Sequence, residues 1–230
     1  MIESSIQSED MTLKRVFQDF YRVPDYQREF VWGELGIDDN KGDQVEQFLK
    51  DIYQDFESTR SDAPSEYFIG SVVVCPGADE VYDLIDGQQR TTTAFLVLCA
   101  FRDRFAELHA ELPDDLPAQI LASNTDWQGN TARRVRLELQ YADSQGVLGQ
   151  YAHGRWAEVT GSTTRSAVNL AGAYETIREF LITQFQEESM TLRRFYGYFV
   201  NKVKLIRIKT CHRGESLKDI RDNKRPWCWP

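Results

Sequence analysis

The sequence predicts an α+β protein in which a small mixed sheet with helices, within residues 1–110, is followed by a mainly helical region, within residues 111–210. Three observations predict this class. Two β-rich runs separated by a turn lie at residues 67–85, as in a hairpin. Apolar residues recur at helical spacing on both sides of that hairpin. A late β-rich run at residues 203–209 is placed to return to the first sheet.

The composition is that of an ordinary folded protein. Of the 230 residues, 41% are hydrophobic and 27% are charged, which excludes global disorder. No apolar run approaches the roughly 20 residues that span a bilayer, and residues 1–10 are too polar and acidic for a secretory signal. Four cysteines without paired spacing favour reduced thiols over a disulfide framework or a zinc site. We therefore expect a cytoplasmic protein without a membrane partner.

The charge is distributed unevenly along the chain. The formal net charge of −9 argues against a protein whose whole surface binds nucleic acid. Residues 1–60 contain 14 acidic and 7 basic residues, whereas residues 189–214 contain seven basic residues and no acidic one. A solvated face would explain this basic stretch, and a local contact with phosphate or nucleic acid is the alternative.

Local patterns predict the first elements. A short helix is expected from about Met11 to Phe17, with Asp10 as its cap. Residues 21–32 are too aromatic and too interrupted by proline for a helix, and they predict a strand that runs into an ordered loop. Apolar residues within residues 45–56 recur at helical spacing and predict a helix.

The predicted hairpin leads directly into a long helix. Residues 67–75 and 81–85 are its strands, and the Pro-Gly-Ala-Asp sequence at residues 76–79 is its turn. Apolar residues at helical spacing within residues 94–108 then predict an amphipathic helix.

After Pro113 the pattern becomes mostly helical. Apolar residues form one helical stripe within residues 170–181, and residues 192–199 suggest another. No internal repeat and no low-complexity linker separates this region from the first. We therefore expect a helical half that packs behind the α+β half.

The clearest chemical signal is a strand that delivers Asp86 and Gly87 to the start of a helix. The glycine permits a tight turn, and the free N–H groups and the dipole of the helix favour an anion such as phosphate. Arg90 could add a bidentate contact to that anion, and Asp86 could bind hydrated Mg²⁺ beside it. Alternatively, Asp86 caps the helix while Gln88 and Gln89 are solvated.

A second signal lies in residues 24–32, which combine aromatic rings with polar side chains on an irregular stretch. Tyr26 and Trp32 are either packing anchors or platforms on which a base stacks, and the sequence leaves both open. Gln27 and Arg28 fit no helix or strand period. They are therefore candidates for a binding site on a loop.

Together these segments resemble the N-terminal domain of GmrSD-type restriction endonucleases. The matching motifs are Pro-x-Tyr-Gln-Arg-x-Phe-x-Trp at residues 24–32, Phe-Ile-Gly-Ser at residues 68–71 and Asp-Gly-Gln-Gln-Arg-x-Thr-Thr at residues 86–93. Phe30 stands where Tyr is commoner and Thr91 where Leu is usual, and neither change removes a polar group. A weaker helical pattern extends the resemblance to about residue 210. The resemblance implies a ParB/sulfiredoxin-like fold.

The resemblance also implies a function, namely NTP binding with hydrolysis, coupled to recognition of modified or foreign DNA in antiphage defence. The cofactors it implies are an NTP, either GTP or ATP, and Mg²⁺. The implied catalytic residues are Asp86, Gln88 and Gln89, with Asp86 also as a Mg²⁺ ligand. The implied nucleotide-binding residues are Tyr26, Gln27, Arg28, Gly70, Gly87, Arg90, Thr91 and Thr92. The alternative is a DNA-binding or partner-docking module that turns over no nucleotide.

We expect no nuclease activity from this chain alone. In the resembling proteins, DNA cutting belongs to a C-terminal HNH-type nuclease domain. The three histidines here, His109, His153 and His212, lie far apart and in no metal-binding pattern. The nuclease is therefore expected outside this chain or on a partner.

Residues 211–230 are expected to be an out-of-frame reading of the domain. They have no apolar period, and they contain the late tryptophans Trp227 and Trp229. Shifting the frame by one nucleotide, with codons chosen to fit, converts residues 218–230 into a segment that the family carries at this point. Such a tail is expected to pack poorly, and the coding DNA is the check.

Overall fold

A computed structural model of the chain describes residues 6–32, 44–59, 65–125, 127–141, 146–159 and 164–210. Within these ranges the protein has the α+β class that the sequence predicts, with a mixed six-stranded sheet, a separate two-stranded hairpin and helices packed around them. The expectation for residues 211–230 lies outside the described residues. None of the described helices combines the length and the apolar character that crossing a bilayer requires.

The elements alternate along the chain. The strands are β1 (Gln7–Thr12), β2 (Phe20–Val23), β3 (Tyr67–Pro76), β4 (Val81–Asp86), β5 (Leu121–Thr125), β6 (Thr131–Val135), β7 (Leu137–Leu139) and β8 (Val203–Lys209). The helices are α1 (Leu13–Val16), α2 (Gln44–Ser58), α3 (Gln88–Glu107), α4 (Leu116–Ile120), α5 (Val147–Ala152), α6 (Arg165–Phe185) and α7 (Ser189–Lys202), with a 3-10 turn at Trp156–Glu158.

The large sheet has the strand order β1-β8-β3-β4-β2-β7. The β3–β4 hairpin is antiparallel, as predicted, and β8 lies parallel to β3 and antiparallel to β1. The prediction that the late strand returns to the first sheet is therefore confirmed. Because β7 and β8 complete a sheet that begins with β1 to β4, the first and second halves of the chain share one sheet and one core.

The beginning of the chain differs from the expectation. The helix expected from Met11 to Phe17 is present as α1, but it covers only Leu13–Val16 and is capped by Thr12 and not by Asp10, while Met11 and Thr12 end a strand, β1, that was not predicted. No apolar alternation signals β1, because most of its side chains are polar and exposed. Its pairing with β8 stabilises it instead, together with ion pairs such as Glu9–Arg207 at 2.7 Å.

Helix α3 is the centre of the core and is not amphipathic. Every residue from 91 to 101 is buried, because α3 packs against β3, α4, α5 and, along much of its length, α6. A helix that is covered on all sides carries no polar stripe. The prediction of an amphipathic helix here is therefore wrong, although its position is correct.

The region after Pro113 contains more strand than expected. Strands β5 and β6 form an antiparallel hairpin, and β7 pairs with β2 at the edge of the large sheet. Side chains of the hairpin such as Ser123, Thr125 and Thr131 are polar and exposed, so no alternating pattern reveals it. The two helical stripes predicted later in this region are confirmed as α6 and α7.

The cysteines do not all behave as expected. Cys99 is a free thiol inside α3, and burial raises its pKa to about 12, which keeps it protonated and unreactive. Cys75 is disulfide-bonded. The expectation of reduced thiols therefore holds for Cys99 and is wrong for Cys75, while Cys211 and Cys228 lie outside the described residues.

Candidate functional site

The turn between β4 and α3 is built around Gly87. This residue has a φ of 83° and forms the N-cap of α3. A Cβ atom at Gly87 would lie 2.6 Å from Cγ1 of Val72 and 3.0 Å from the carbonyl oxygen of Ser71. Only glycine combines this left-handed conformation with so close an approach to β3. The turn therefore brings the start of α3 directly against the sheet.

The start of α3 is not capped by a side chain. The Asp86 carboxylate is exposed, and it forms no hydrogen bond or ion pair within the part of the chain that the structure describes. The alternative in which Asp86 caps the helix is therefore wrong. Since the first N–H groups of a helix have no partner within it, the start of α3 presents donors beside a free carboxylate.

Gln88 and Gln89 bind the backbone of the loop formed by residues 24–32, here called the site loop. The Gln89 amide donates from Nε2 to the carbonyl oxygen of Glu29 (3.0 Å) and accepts at Oε1 from the N–H of Val31 (2.9 Å). Nε2 of Gln88 donates to the carbonyl oxygen of Arg28 (3.0 Å). The alternative of solvated glutamines is therefore wrong, and both side chains fix the site loop over α3.

Two residues that sequence reasoning missed complete this attachment. The Tyr141 hydroxyl donates to the carbonyl oxygen of Arg28 (2.7 Å), and Nδ2 of Asn169 donates to that of Phe30 (2.8 Å). Asn169 is buried among the apolar residues of α6, and a polar residue inside that stripe was the available signal. Tyr141 follows β7, a strand that the sequence did not reveal. Three consecutive carbonyl groups of an irregular segment thus have side-chain partners.

The aromatic residues of the site loop have different environments. Phe30 is buried, and Trp32 is half-buried with its ring centroid 6.0 Å from that of Phe48. Trp32 is therefore a packing anchor. Tyr26 is 42% exposed, so its ring is accessible to a ligand. Gln27 lies in the turn at the start of the loop, where its N–H donates to the carbonyl oxygen of Pro24 (3.1 Å).

Arg90 lies half-buried across β3. Its Nη1 donates to the carbonyl oxygen of Ser71 (2.9 Å). A Cβ atom at Gly70, whose φ is 107°, would lie 2.5 Å from Nη1 and 3.0 Å from Cζ of Arg90. Gly70 therefore leaves room for the Arg90 guanidinium, which lies directly against its backbone. No carboxylate pairs with Arg90 among the described residues.

Arg28 has a fixed backbone and a free side chain. Gln88 and Tyr141 bind its carbonyl group, while its side chain is exposed and forms no ion pair within the described ranges. Arg22, in the preceding strand, is different because its Nε donates to Oδ1 of Asp83 at 2.6 Å. Arg28 is therefore positioned without being neutralised.

The structure does not bring Thr91 and Thr92 to the ligand side of the turn. Thr91 is 3% exposed and its hydroxyl donates to the carbonyl oxygen of Gly87 (3.0 Å), and Thr92 is 1% exposed. Both side chains lie inside the core, so their predicted contact with a nucleotide is not possible in this conformation. Their role is packing at the start of α3.

The three basic residues of β8 are neutralised by acidic residues of the first half of the chain. Lys204 pairs with Asp10 and Glu66, and Arg207 and Lys209 both pair with Glu9. Arg207 is only 2% exposed, so neither a solvated face nor a phosphate contact describes it. The basic residues of β8 therefore form ion pairs within the fold, whereas Arg194 of helix α7 stays exposed.

The candidate metal ligand that the sequence predicts is Asp86. Among the described residues, no group of three or more His, Cys, Asp or Glu side chains could hold a metal ion. Mg²⁺, however, commonly uses one or two carboxylates and completes its shell with phosphate oxygens and water. The free Asp86 carboxylate at the start of α3 fits this use, but it does not fit a metal site made by the protein alone.

Comparison with known proteins gives one family. The model of the family described as GmrSD restriction endonuclease, N-terminal domain, matches residues 9–222. The matched range contains the site loop, Gly70 and the β4–α3 turn, and it continues beyond Thr210. No match was found among curated proteins.

Proposed function

From the premise that this chain belongs to the family of the GmrSD restriction endonuclease N-terminal domain, we propose that it binds and hydrolyses a nucleoside triphosphate with Mg²⁺. The nucleotide would regulate a restriction protein that recognises modified DNA in the cytoplasm. The proposal rests on one observation. Two arginines, Arg28 and Arg90, lie at the uncapped start of α3 without a carboxylate partner among the described residues.

Unpaired cations at this place favour a polyanion. Arg90 is half-buried and uses one donor on a neutral carbonyl group, so most of its hydrogen-bonding capacity is free. Hydrogen bonds to a charged group contribute about 1.5–3 kcal/mol each, and the dipole of a helix adds to the attraction of phosphate at its N-terminus. A triphosphate would engage both arginines and the N–H groups of the turn.

Two residues, Asp86 and Gln88, have polar atoms that suit hydrolysis, and a third, Tyr26, suits binding of the base. The Asp86 carboxylate would bind Mg²⁺ or the attacking water, and the Mg²⁺ would supply charge stabilisation to the phosphates. Oε1 of Gln88 has no hydrogen-bond partner among the described residues and is buried, so it would accept from that water after nucleotide binding exposes it. Exposed Tyr26 could stack on the base. The water oxygen would bond to the γ-phosphorus as its bond to the β–γ bridging oxygen breaks, which gives a nucleoside diphosphate and phosphate.

Gln89 has a different role in this proposal. Both ends of its amide bind the backbone of the site loop, so it has little capacity left for substrate or water. We therefore assign Gln89 as a positioning residue that fixes the loop carrying Gln27 and Arg28. Of the three residues expected to be catalytic, we keep Asp86 and Gln88 in that role.

Titration of the chain with fluorescent GTP and ATP analogues tests the proposal. We expect saturable binding that weakens when Mg²⁺ is removed, together with phosphate release from the preferred nucleotide. Competition with duplex DNA separates the alternative, a module that binds DNA phosphates at this site without turnover. Absence of binding by both analogues would reject the nucleotide proposal. Displacement of the bound analogue by duplex DNA, without phosphate release, would favour the alternative.

A further inference from the structure

The tip of the β5–β6 hairpin presents a tryptophan to solvent. Trp127 lies between Thr125 and Thr131 and is 92% exposed. Large aromatic side chains are rarely left this open, because burial of their rings is strongly favourable. The neighbouring exposed side chains of the hairpin are polar, so Trp127 is not part of an apolar patch.

The base of the hairpin is fixed to the body of the protein. The guanidinium groups of Arg134 and Arg136 lie over the Phe20 ring, 4.4 and 4.6 Å from its centroid. Nη1 of Arg136 also donates to the carbonyl oxygen of Gln18 (2.6 Å). These contacts hold the two strands in place while the tip extends beyond them.

Two arginines without a carboxylate partner among the described residues lie beside the hairpin, together with a histidine. Helix α5 packs against β6, and the exposed residues Arg133, His153 and Arg155 therefore come close together. Partial burial, followed by the charges of Arg155, Arg102 and Arg133, lowers the pKa of His153. Arg133 and Arg155 have no carboxylate partner within the described ranges. This side of the hairpin is therefore locally basic, although the chain as a whole has a net charge of −9.

We propose that the β5–β6 hairpin is a contact element for double-stranded DNA. The major groove admits a two-stranded β-ribbon, and most protein–DNA hydrogen bonds reach phosphate oxygens. Arg133 and Arg155 bind phosphates along the groove edge, the hydroxyl and amide side chains of the hairpin face the groove, and Trp127 packs against sugar or base. Within residues 121–135 the sequence has two arginines, Arg133 and Arg134, and one acidic residue, Asp126.

The observations favour DNA over a protein partner. A tryptophan that anchors a protein interface is normally surrounded by other apolar residues that exclude water. Trp127 has polar and cationic neighbours instead, as expected for a surface that meets a phosphate backbone. Membership in a restriction endonuclease family makes DNA the expected macromolecular partner, and the contact does not depend on nucleotide binding.

Fluorescence anisotropy with a short labelled duplex, at low salt and without nucleotide, tests the inference on the intact chain. Trp127→Ala should weaken binding about tenfold, in line with the value of aromatic contacts to nucleic acid. Arg133→Glu should also weaken it about tenfold and lower the slope of log affinity against log salt by about one. The controls are Arg194→Glu, with the same change in charge, and Met190→Ala, which removes another exposed apolar side chain. Both controls should bind like the unchanged chain.

The outcomes are distinct. Equal weakening by Arg133→Glu and Arg194→Glu would mean that only net charge matters, and the hairpin proposal would be overturned. No duplex binding by the intact chain, with a change in self-association on Trp127→Ala, would identify a protein interface and also overturn it. Arg28→Ala should leave duplex binding unchanged, so failure of the nucleotide proposal would be recognised separately. Circular dichroism confirms that each variant is folded.

Discussion

Arg207 and Arg90 contact the same sheet and have opposite surroundings. Arg207 is buried on β8, where it pairs with Glu9 and Asp19 and donates a hydrogen bond to the hydroxyl oxygen of Tyr21. Arg90 is half-buried across β3 and contacts only a neutral carbonyl group. The comparison teaches that basic residues in a sequence do not indicate available charge. The basic residues of β8 are paired with carboxylates, whereas the isolated arginines of two motifs are not.

The largest expected effect is the loss of stability when Arg207, the paired arginine, is replaced. Arg207→Ala leaves Glu9 and Asp19 without their cation and opens a cavity, so we expect a loss of about 3 kcal/mol in the free energy of unfolding. The estimate is at the low end for buried pairs because both carboxylates are partly exposed and can be hydrated. Urea denaturation measures it. Arg207→Met, which fills the space, should recover part of the loss; full recovery would assign the effect to packing alone and would contradict a role for the ion pairs.

The next effect links Gly70 to Arg90. Gly70→Ala places a Cβ atom in a left-handed backbone and against the Arg90 guanidinium, and it should cost about 2 kcal/mol in stability. Nucleotide affinity should fall too, because Arg90 is displaced. In an Arg90→Ala background the clash is absent, so the stability cost of Gly70→Ala should be smaller. If Gly70→Ala costs the same stability in both backgrounds, contact with Arg90 is not the reason for a glycine at this position.

A smaller effect separates the two glutamines. Gln89→Ala removes two hydrogen bonds to the site loop and leaves Glu29 O and Val31 N–H without partners, so it should cost about 1.5 kcal/mol. Gln88→Ala removes one such bond, from a carbonyl group that Tyr141 still binds, and should cost less. Phosphate release should show the reverse order, with Gln88→Ala impairing turnover more at saturating nucleotide. If Gln89→Ala had the larger effect on both stability and phosphate release, the assignment of Gln89 to positioning and Gln88 to catalysis would be contradicted.

The smallest effect concerns pH. The hydrogen bond from Arg207, followed by that from Lys209, lowers the pKa of Glu9 below its ordinary value of 4.5. The ionised carboxylate therefore stabilises the fold above that value, and this stabilisation is lost as the pH falls through the lowered pKa. Between about pH 6 and about pH 3 the urea midpoint should fall less in Glu9→Gln than in the unchanged chain. Parallel pH curves would indicate that Glu9 contributes nothing.

Locally encoded features were predictable from the sequence. The β3–β4 hairpin has turn residues between two β-rich runs, and α2, α6 and α7 have apolar residues at helical spacing. The return of β8 was predictable because residues 203–209 form a short β-rich run. The Asp-Gly turn identified the start of α3 for the same local reason.

Features that depend on distant partners were not predictable. Strand β1 is polar and exists through its pairing with β8, and the β5–β6 hairpin has no buried face to produce an alternating pattern. The burial of Thr91 and Thr92 depends on the packing around α3. Likewise, the partners of Gln88 and Gln89 lie about 60 residues away in sequence. The residues of the site were visible in the motifs, but the division between ligand contacts and loop supports was not.

Isothermal titration with the preferred nucleotide and Mg²⁺, on Arg28→Ala and Arg194→Ala in parallel, tests most directly whether the unpaired arginines form the anion site. Both side chains are exposed, so neither substitution should disturb the fold, and both remove one positive charge. Arg28→Ala should weaken binding roughly 10- to 100-fold because a charged phosphate contact is lost, whereas Arg194→Ala should bind like the unchanged chain. Unchanged affinity of folded Arg28→Ala, or equal weakening in both variants, would contradict the assignment.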